Sequence, residues 1–284
     1  MLCGRFCESP DMRNFVVTAS LCVVALSVQP AAAAPLTYDC QARLARVETA
    51  PPPDPAQTHP WQCPVPTVKA QPNATHWFRD SLEYCRLSVS VYDEALAAAR
   101  RMAKTHRRNQ WVVTLDADET VLDNSLFERE QDSCASDYND RVWRNWVASN
   151  LATDVPGAAA FTQAVHKLGG LVAIITNRDA DQDSYTRDTL KKAGIWFDYE
   201  TGSSGTSDKT IRWLAAIAAL RVKFGGQPKG VMWLGDQVTD FPIIDKKGAI
   251  VRAMSQKDAG DGIGAYLFVL ANPMYGNWQK NPPR

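Results

Sequence analysis

Two aspartates one residue apart, Asp116 and Asp118, stand at the end of an apolar run, Trp111-Val112-Val113-Thr114-Leu115. A buried parallel strand delivers side chains in this way to its C-terminal end, the edge at which open α/β sheets bind ligands. Two carboxylates this close repel unless a cation lies between them or one holds a proton. Phosphoryl transfer suits both conditions: one carboxylate attacks phosphorus, the other moves a proton, and a divalent cation offsets the negative charge. A solvated loop and a calcium loop compete for the same residues. The calcium loop fails, because its sixth position is Val121 rather than Gly and its twelfth is Phe127 rather than Glu.

The solvated loop is weighed by whether Asp116 and Asp118 have partners. Two further apolar runs also end in polar groups. Leu171 to Ile175 leads into Thr176-Asn177-Arg178, and Val231 to Leu234 leads into Gly235-Asp236-Gln237-Val238-Thr239-Asp240. Lys209 opens a helix between them. Right-handed crossovers would bring the three strand ends and the lysine to one sheet edge. Each residue type then has a task. Asp116 is the candidate nucleophile and Asp118 the candidate general acid/base. Asp116, Asp118 and Asp236 form an oxygen-only set suited to Mg²⁺. Thr176, Asn177 and Lys209 can donate to phosphoryl oxygens. Arg178 reads as a structural ion-pair partner as readily as a phosphate contact.

The elements that must position these residues alternate. A helical period runs from His76 to about His106, with Phe78, Leu82, Cys85, Val89, Tyr92 and Leu96 on one side. After strand 111–116 comes a polar, Trp-bearing insertion to about Val155. Then follow a helix near 158–168, strand 171–176, a helix near 184–193, a helix near 209–222, strand 231–234 and short strands near 249–253 and 266–270. This order predicts an α/β fold, a mostly parallel sheet with helices on both faces. Gly202-Ser203-Ser204-Gly205 reads as a flexible loop. Prolines crowd Pro51 to Pro72, so residues 35–75 read as an irregular arm rather than a packed element.

These ordered blocks resemble the haloacid-dehalogenase (HAD) superfamily of phosphatases. More narrowly they resemble the secreted class C (subfamily IIIB) acid phosphatases, which include bacterial 5'-nucleotidase lipoproteins and plant acid phosphatase and storage-protein relatives. The likeness runs from about His76 to Trp278 and takes in Leu115 to Ser125, Trp143 and Trp146, Ile175 to Arg178, Asp208-Lys209, Gly235 to Phe241 and Asn272-Pro273-Met274-Tyr275-Gly276-Asn277-Trp278. It implies a Rossmann-like HAD fold over residues 76–284 with a small helical cap at about 124–156. It also implies an Mg²⁺-dependent acid phosphatase working through an aspartyl phosphate on Asp116. Asp118 would serve as acid/base and lend its backbone carbonyl to the metal, Thr176 and Lys209 would contact phosphate, Asp236 would hold the metal, and Asp240 would support that shell. Where the nucleotidases carry an aromatic-rich segment, this chain has Leu126-Phe127-Glu128-Arg129-Glu130. Phe127 and Tyr275 are the candidate substrate contacts, and Trp143 and Trp146 are expected to pack the cap. A 5'-nucleotidase activity, or a non-catalytic storage or binding protein on the same fold, are the alternatives; retention of Asp116 argues against the second.

Composition bounds the remaining choices. The chain has 284 residues, 45% hydrophobic, with 31 basic and 31 acidic side chains. Such a balance offers no basic surface for a nucleic-acid polymer; the expected partner is a small phosphate ester, and a homo-oligomer is left open. Met12-Arg13-Asn14, an apolar stretch from Phe15 to Val28 and Ala31 to Ala34 have the pattern of a signal peptide, assigned to residues 1–34. Cys22 follows Leu21 and is a poor lipid-attachment site, so a periplasmic or secreted protein without a membrane anchor is expected. Cys40, Cys63, Cys85 and Cys134 then remain, enough for two disulfides with three possible connectivities. None of the four histidines falls in a block, and neither a P-loop nor a thiol-phosphatase loop is present.

Overall fold

The computed structural model describes residues 34–48, 72–134, 138–258 and 260–282. Three helices come first: α1 (Cys40–Glu48), α2 (Asn73–Asp80) and α3 (Leu82–Thr105). The central strand β1 (Trp111–Leu115) follows. A two-residue strand β2 (Leu122–Asp123), α4 (Ser125–Cys134), α5 (Asp140–Ser149) and β3 (Thr153–Asp154) make up the insertion. Then come α6 (Ala158–Lys167), β4 (Leu171–Asp179), α7 (Asp183–Lys192), β5 (Tyr199–Ser203), α8 (Thr210–Phe224) and β6 (Lys229–Gly235). The chain finishes with β7 (Pro242–Ile244), β8 (Ile250–Ala253) and β9 (Leu267–Val269).

The main sheet has the order β5-β4-β1-β6-β9, and every pairing in it is parallel. Both faces are covered, as a parallel sheet requires. Val113 and Leu115 of β1, with Val172 and Ile174 of β4, face a core shared with Tyr92 and Leu96 of α3 and Phe161 and Val165 of α6. The alternate residues Val112, Leu171, Ala173 and Ile175 pack against Trp213, Ala216 and Leu220 of α8. Period-2 alternation therefore assigns each strand residue to one of two helix layers. The register places Leu115 beside Ile174 and Leu234, so the three polar strand ends start level with one another.

Four expectations change. The stretch 76–106 is two helices, starting at Asn73 and broken at Ser81, whose hydroxyl oxygen caps α3 by accepting from the Tyr84 amide at 3.0 Å. Residues 40–48 of the supposed irregular arm form α1. Cys40 is disulfide-bonded to Cys85 on α3, and Arg43 is paired with Asp123 at 2.9 Å. A covalent tie and a buried ion pair make a short helix worth ordering among prolines that obscure its period. Strand 250–253 lies outside the main sheet and pairs antiparallel with β7. Gly202 and Ser203 belong to β5 rather than to a loop; a Cβ on Gly202 would lie 2.6 Å from the Arg178 carbonyl oxygen. The expected signal segment, Cys63 and the side chain of Cys134 lie outside the described residues, and so does any pairing of those two cysteines. Among the described residues no helix is long and apolar enough to cross a membrane.

Candidate active site

The C-terminal ends of β1, β4 and β6 converge as the crossover rule requires. The ladder continues one residue past β1, with the Asp116 amide donating to the Leu234 carbonyl at 3.0 Å. Gly235 ends β6 because the loop folds straight back: a Cβ there would lie 2.3 Å from that of Asp240. The loop closes as a 3₁₀ turn, Val238–Asp240, with Asp240 accepting from the Gln237 amide at 2.9 Å. One carboxylate oxygen from each of Asp116, Asp236 and Asp240 then falls within 4.8 Å of the others.

Lys209 enters this cluster from the other side of the sheet edge. It is the N-cap residue of α8, and Asp208 ahead of it accepts from the Thr210 amide at 2.8 Å in a local turn. Its side chain is 2% exposed, and the ammonium bonds Asp240 at 2.7 Å and also donates to Asp116. Burial works against the charge on Lys209, but Asp116 and Asp240 outweigh it and the net shift is upward. Asp116 is pushed well above the usual carboxylate range, by burial first; Lys209 opposes the shift and Asp240, Asp236 and Asp118 add to it. Asp236 is pushed up to about 7 by burial and then Asp240, with hydrogen bonds from Asn272 and Gln237 opposing. Three carboxylates against one ammonium leave a negative excess in a site that water reaches poorly, and such a site favours cations.

The hydrogen bonds sort the oxygens. Asp240 is fully committed, one oxygen to Lys209 and the other to Gln237. Asp236 Oδ2 accepts from Asn272 and Gln237 side chains, each at 2.8 Å. Asp116 Oδ1 accepts from Lys209. Among the described residues nothing donates to Asp116 Oδ2 or Asp236 Oδ1, and Asp116 and Asp236 both line a cavity of about 410 Å³. Hard oxygen donors with two uncommitted positions fit a divalent cation of the Mg²⁺ type. The carboxylate of Asp118 is held elsewhere. Arg178 binds it at 2.7 and 3.0 Å, Asn124 donates to it at 2.8 Å, and the Thr176 hydroxyl lies 3.4 Å away.

Thr176 and Lys209 are buried and Asn177 is exposed at the cavity rim. Arg212, one turn into α8, donates to the Thr176 carbonyl and at 2.6 Å to Asn177 Oδ1, so the Asn177 amide N–H group is the part left for a ligand. Tyr275 lines the cavity, and its hydroxyl donates to Glu119. Glu119 is itself buried at φ +52°, with its other oxygen accepting from the Asn124 amide at 2.9 Å. A left-handed glutamate anchored at both oxygens ties the loop after β1 to the C-terminal segment.

Phe127, expected at the substrate, packs in the core instead. It is 1% exposed, edge-on to Trp143 with ring centroids 5.1 Å apart, and it does not line the cavity. The apolar face of α4 turns it into the core. Trp146 packs inside as expected and donates to Asn124 Oδ1 at 2.8 Å, whereas Trp143 lines the cavity and faces the Arg178 guanidinium. Arg212, Glu119, Asn124 and Asn272 were missed by sequence reasoning. Glu119 and Asn124 lie within the block Leu115 to Ser125 and Asn272 opens the last one, but Tyr275, Arg178 and Asp236, which they meet, lie far along the chain.

Among solved structures the chain is similar to the class C acid phosphatase from Bacillus anthracis. Identity is 23%, over 72% of this chain and 85% of that one, with a TM-score of 0.60. The crystal structure of that protein with tungstate bound matches with the same values. Likeness at this identity shows the fold. The family is shown by the match over residues 54–278 to the HAD superfamily, subfamily IIIB (Acid phosphatase), a span that holds Asp116, Asp118, Lys209, Asp236 and Asp240. The chain therefore belongs to the subfamily IIIB acid phosphatases of the HAD superfamily, a family of phosphoric monoester hydrolases.

Proposed function

We propose that the protein is an exported, Mg²⁺-dependent acid phosphatase that hydrolyses small phosphate monoesters through an aspartyl phosphate on Asp116. The observation that carries this reading is Asp116 on the wall of a cavity, with one carboxylate oxygen held by Lys209 and the other free of donors among the described residues. A nucleophile fixed at one oxygen keeps the other aimed, and fixed aim removes much of the entropic barrier to attack. Asp116 and Asp236 would hold the cation, with Asp240 fixing Lys209 beside them. When bound, the cation would offset charge on the phosphoryl oxygens and so lower the barrier.

The residues then divide the work. Asp116 forms a bond to phosphorus as the ester P–O bond breaks, and Asp118 gives a proton to the departing alkoxide. Water next attacks the same phosphorus while Asp118 takes its proton, releasing phosphate and restoring the Asp116 carboxylate. Arg178 and Asn124 keep Asp118 in place for both transfers. The Asn177 amide at the cavity rim supplies a donor for the phosphoryl oxygens, and Thr176 is buried beside it with its hydroxyl turned to Asp118. Export is supported by the Cys40–Cys85 disulfide, since such bonds persist in oxidising compartments.

A 5'-nucleotidase activity is the second reading, favoured by Tyr138, Trp143 and Tyr275 on the cavity wall, which offer rings to a base. The test of the first is direct. Wild-type protein with Mg²⁺ hydrolyses p-nitrophenyl phosphate, chelation with EDTA abolishes turnover and Mg²⁺ restores it. Asp116→Asn lowers kcat by at least about 10³-fold, in the range expected when a nucleophile is lost. Undiminished hydrolysis by Asp116→Asn would exclude the proposal, and a panel of nucleotides against other esters separates the two readings.

A further inference from the structure

One wall of the cavity is not used by the phosphoryl chemistry. Glu128 on α4, with Tyr138 and Trp143 beside and on α5, lines it from the insertion that follows β1. At the sheet end every acid has a partner. Lys209 pairs with Asp116 and Asp240, Asp236 accepts from Asn272 and Gln237, and Asp118 is paired with Arg178. Glu128 is left over. Among the described residues no hydrogen-bond donor or cation is bonded to it. The adjacent basic residue, Arg129, is committed to Glu130 at 2.7 Å, and the next acid on the helix, Asp132, accepts from Thr75 at 2.7 Å.

The rings of Tyr138 and Trp143 lie beside each other, 6.5 Å between centroids at 44°. A carboxylate next to aromatic faces is the arrangement that holds alkylammonium groups, through cation–π attraction and direct charge pairing. A neutral leaving group would instead cover the Glu128 carboxylate without a partner, at a cost. We propose that Glu128, with Tyr138 and Trp143, selects phosphate monoesters whose alcohol portion carries a cationic nitrogen, the amino-alcohol phosphates with a protonated or quaternary amine. This rests on the phosphatase reading of the same cavity. Burial, with Asp132 adding, pushes Glu128 up to about 7, the state of a carboxyl that lacks its countercharge.

The experiment, run at pH ~8 so that Glu128 is ionised, compares choline phosphate with its neutral carbon isostere, 3,3-dimethylbutyl phosphate, and uses p-nitrophenyl phosphate to report that the chemistry runs. Wild-type protein is expected to favour choline phosphate by about 10-fold or more in kcat/KM. Glu128→Gln, which keeps the shape and removes the charge, brings that ratio to within about 2-fold of unity, with the loss mainly in KM. Equal rates on the two esters in the wild type, or a preference that survives in Glu128→Gln, would overturn the inference. Calorimetric binding of the two esters to the Asp116→Asn protein makes the same comparison without turnover. Should the wild type hydrolyse none of the three esters, the phosphatase reading fails, and the binding preference alone decides the role of Glu128.

Discussion

Among the described residues Lys209 is the one cation bonded to the carboxylate cluster, and Lys209→Met removes its charge while keeping most of its volume. The side chain is 2% exposed and its ammonium bonds both Asp116 and Asp240. Without it, three carboxylates with oxygens inside 4.8 Å of one another have no countercharge. At an effective dielectric of about 20, each pair at that separation repels by roughly 3.5 kcal/mol. Uptake of a proton by one carboxyl limits the damage, so the net cost falls near the 3–5 kcal/mol typical of breaking a buried ion pair on one side. For a domain of this size that is a fall in Tm of about 6–20 °C. A divalent cation replaces the lost charge. Millimolar Mg²⁺ should therefore raise Tm more in Lys209→Met than in the wild type, by mass action on a tighter site. The assay is thermal unfolding by circular dichroism in EDTA and again in Mg²⁺. A variant that melts within about 2 °C of the wild type in EDTA, or that gains no more from Mg²⁺, would refute the reasoning.

Two further outcomes follow from the fold. Cys85→Ser opens the 45-residue loop closed by the Cys40 disulfide; chain-entropy arguments put the loss at about 4 kcal/mol, read as a lower urea midpoint, and an unchanged midpoint would mean that α1 contributes little. Glu200 lies under Arg187 with its side chain fully buried, and burial, with Asp183 adding, pushes it from 4.5 up to about 7. Between those values the native state holds a proton that the unfolded chain has released, so stability is full below pH ~4.5 and is lost as pH rises towards 7. Glu200→Gln removes this dependence, and after screening by water beside the half-exposed Arg187 it gains on the wild type by about 1–2 kcal/mol between pH 5 and 7; parallel stability curves for the two proteins would contradict the burial assignment.

What could be read from the sequence was the part that depends on period and position. Trp111 to Leu115 is apolar but for Thr114, so a buried strand ending at Asp116 follows from the chain itself, and the same holds for the runs before Thr176 and Asp236. Lys209 could be placed because it opens a helix of plain apolar character. What could not be read depends on which face a helix turns inward and on contacts between distant segments. Phe127 and Glu128 are neighbours, yet one faces the core and the other the cavity, and the short polar α4 does not reveal which. Glu119 meets Tyr275 from 156 residues away, and Asn272 meets Asp236 from 36. The helix α1 is set by a disulfide and by Arg43 on Asp123, neither of which leaves a periodic trace.

The central claim is that a phosphoryl group passes through the carboxylate of Asp116, and rapid quenching during turnover of an aryl phosphate, followed by borohydride reduction and peptide mass spectrometry, tests it most directly. The account predicts that residue 116 is converted from aspartate to homoserine in the wild type and not in Asp116→Asn. Reduction at another residue, or none while turnover is in progress, would contradict it.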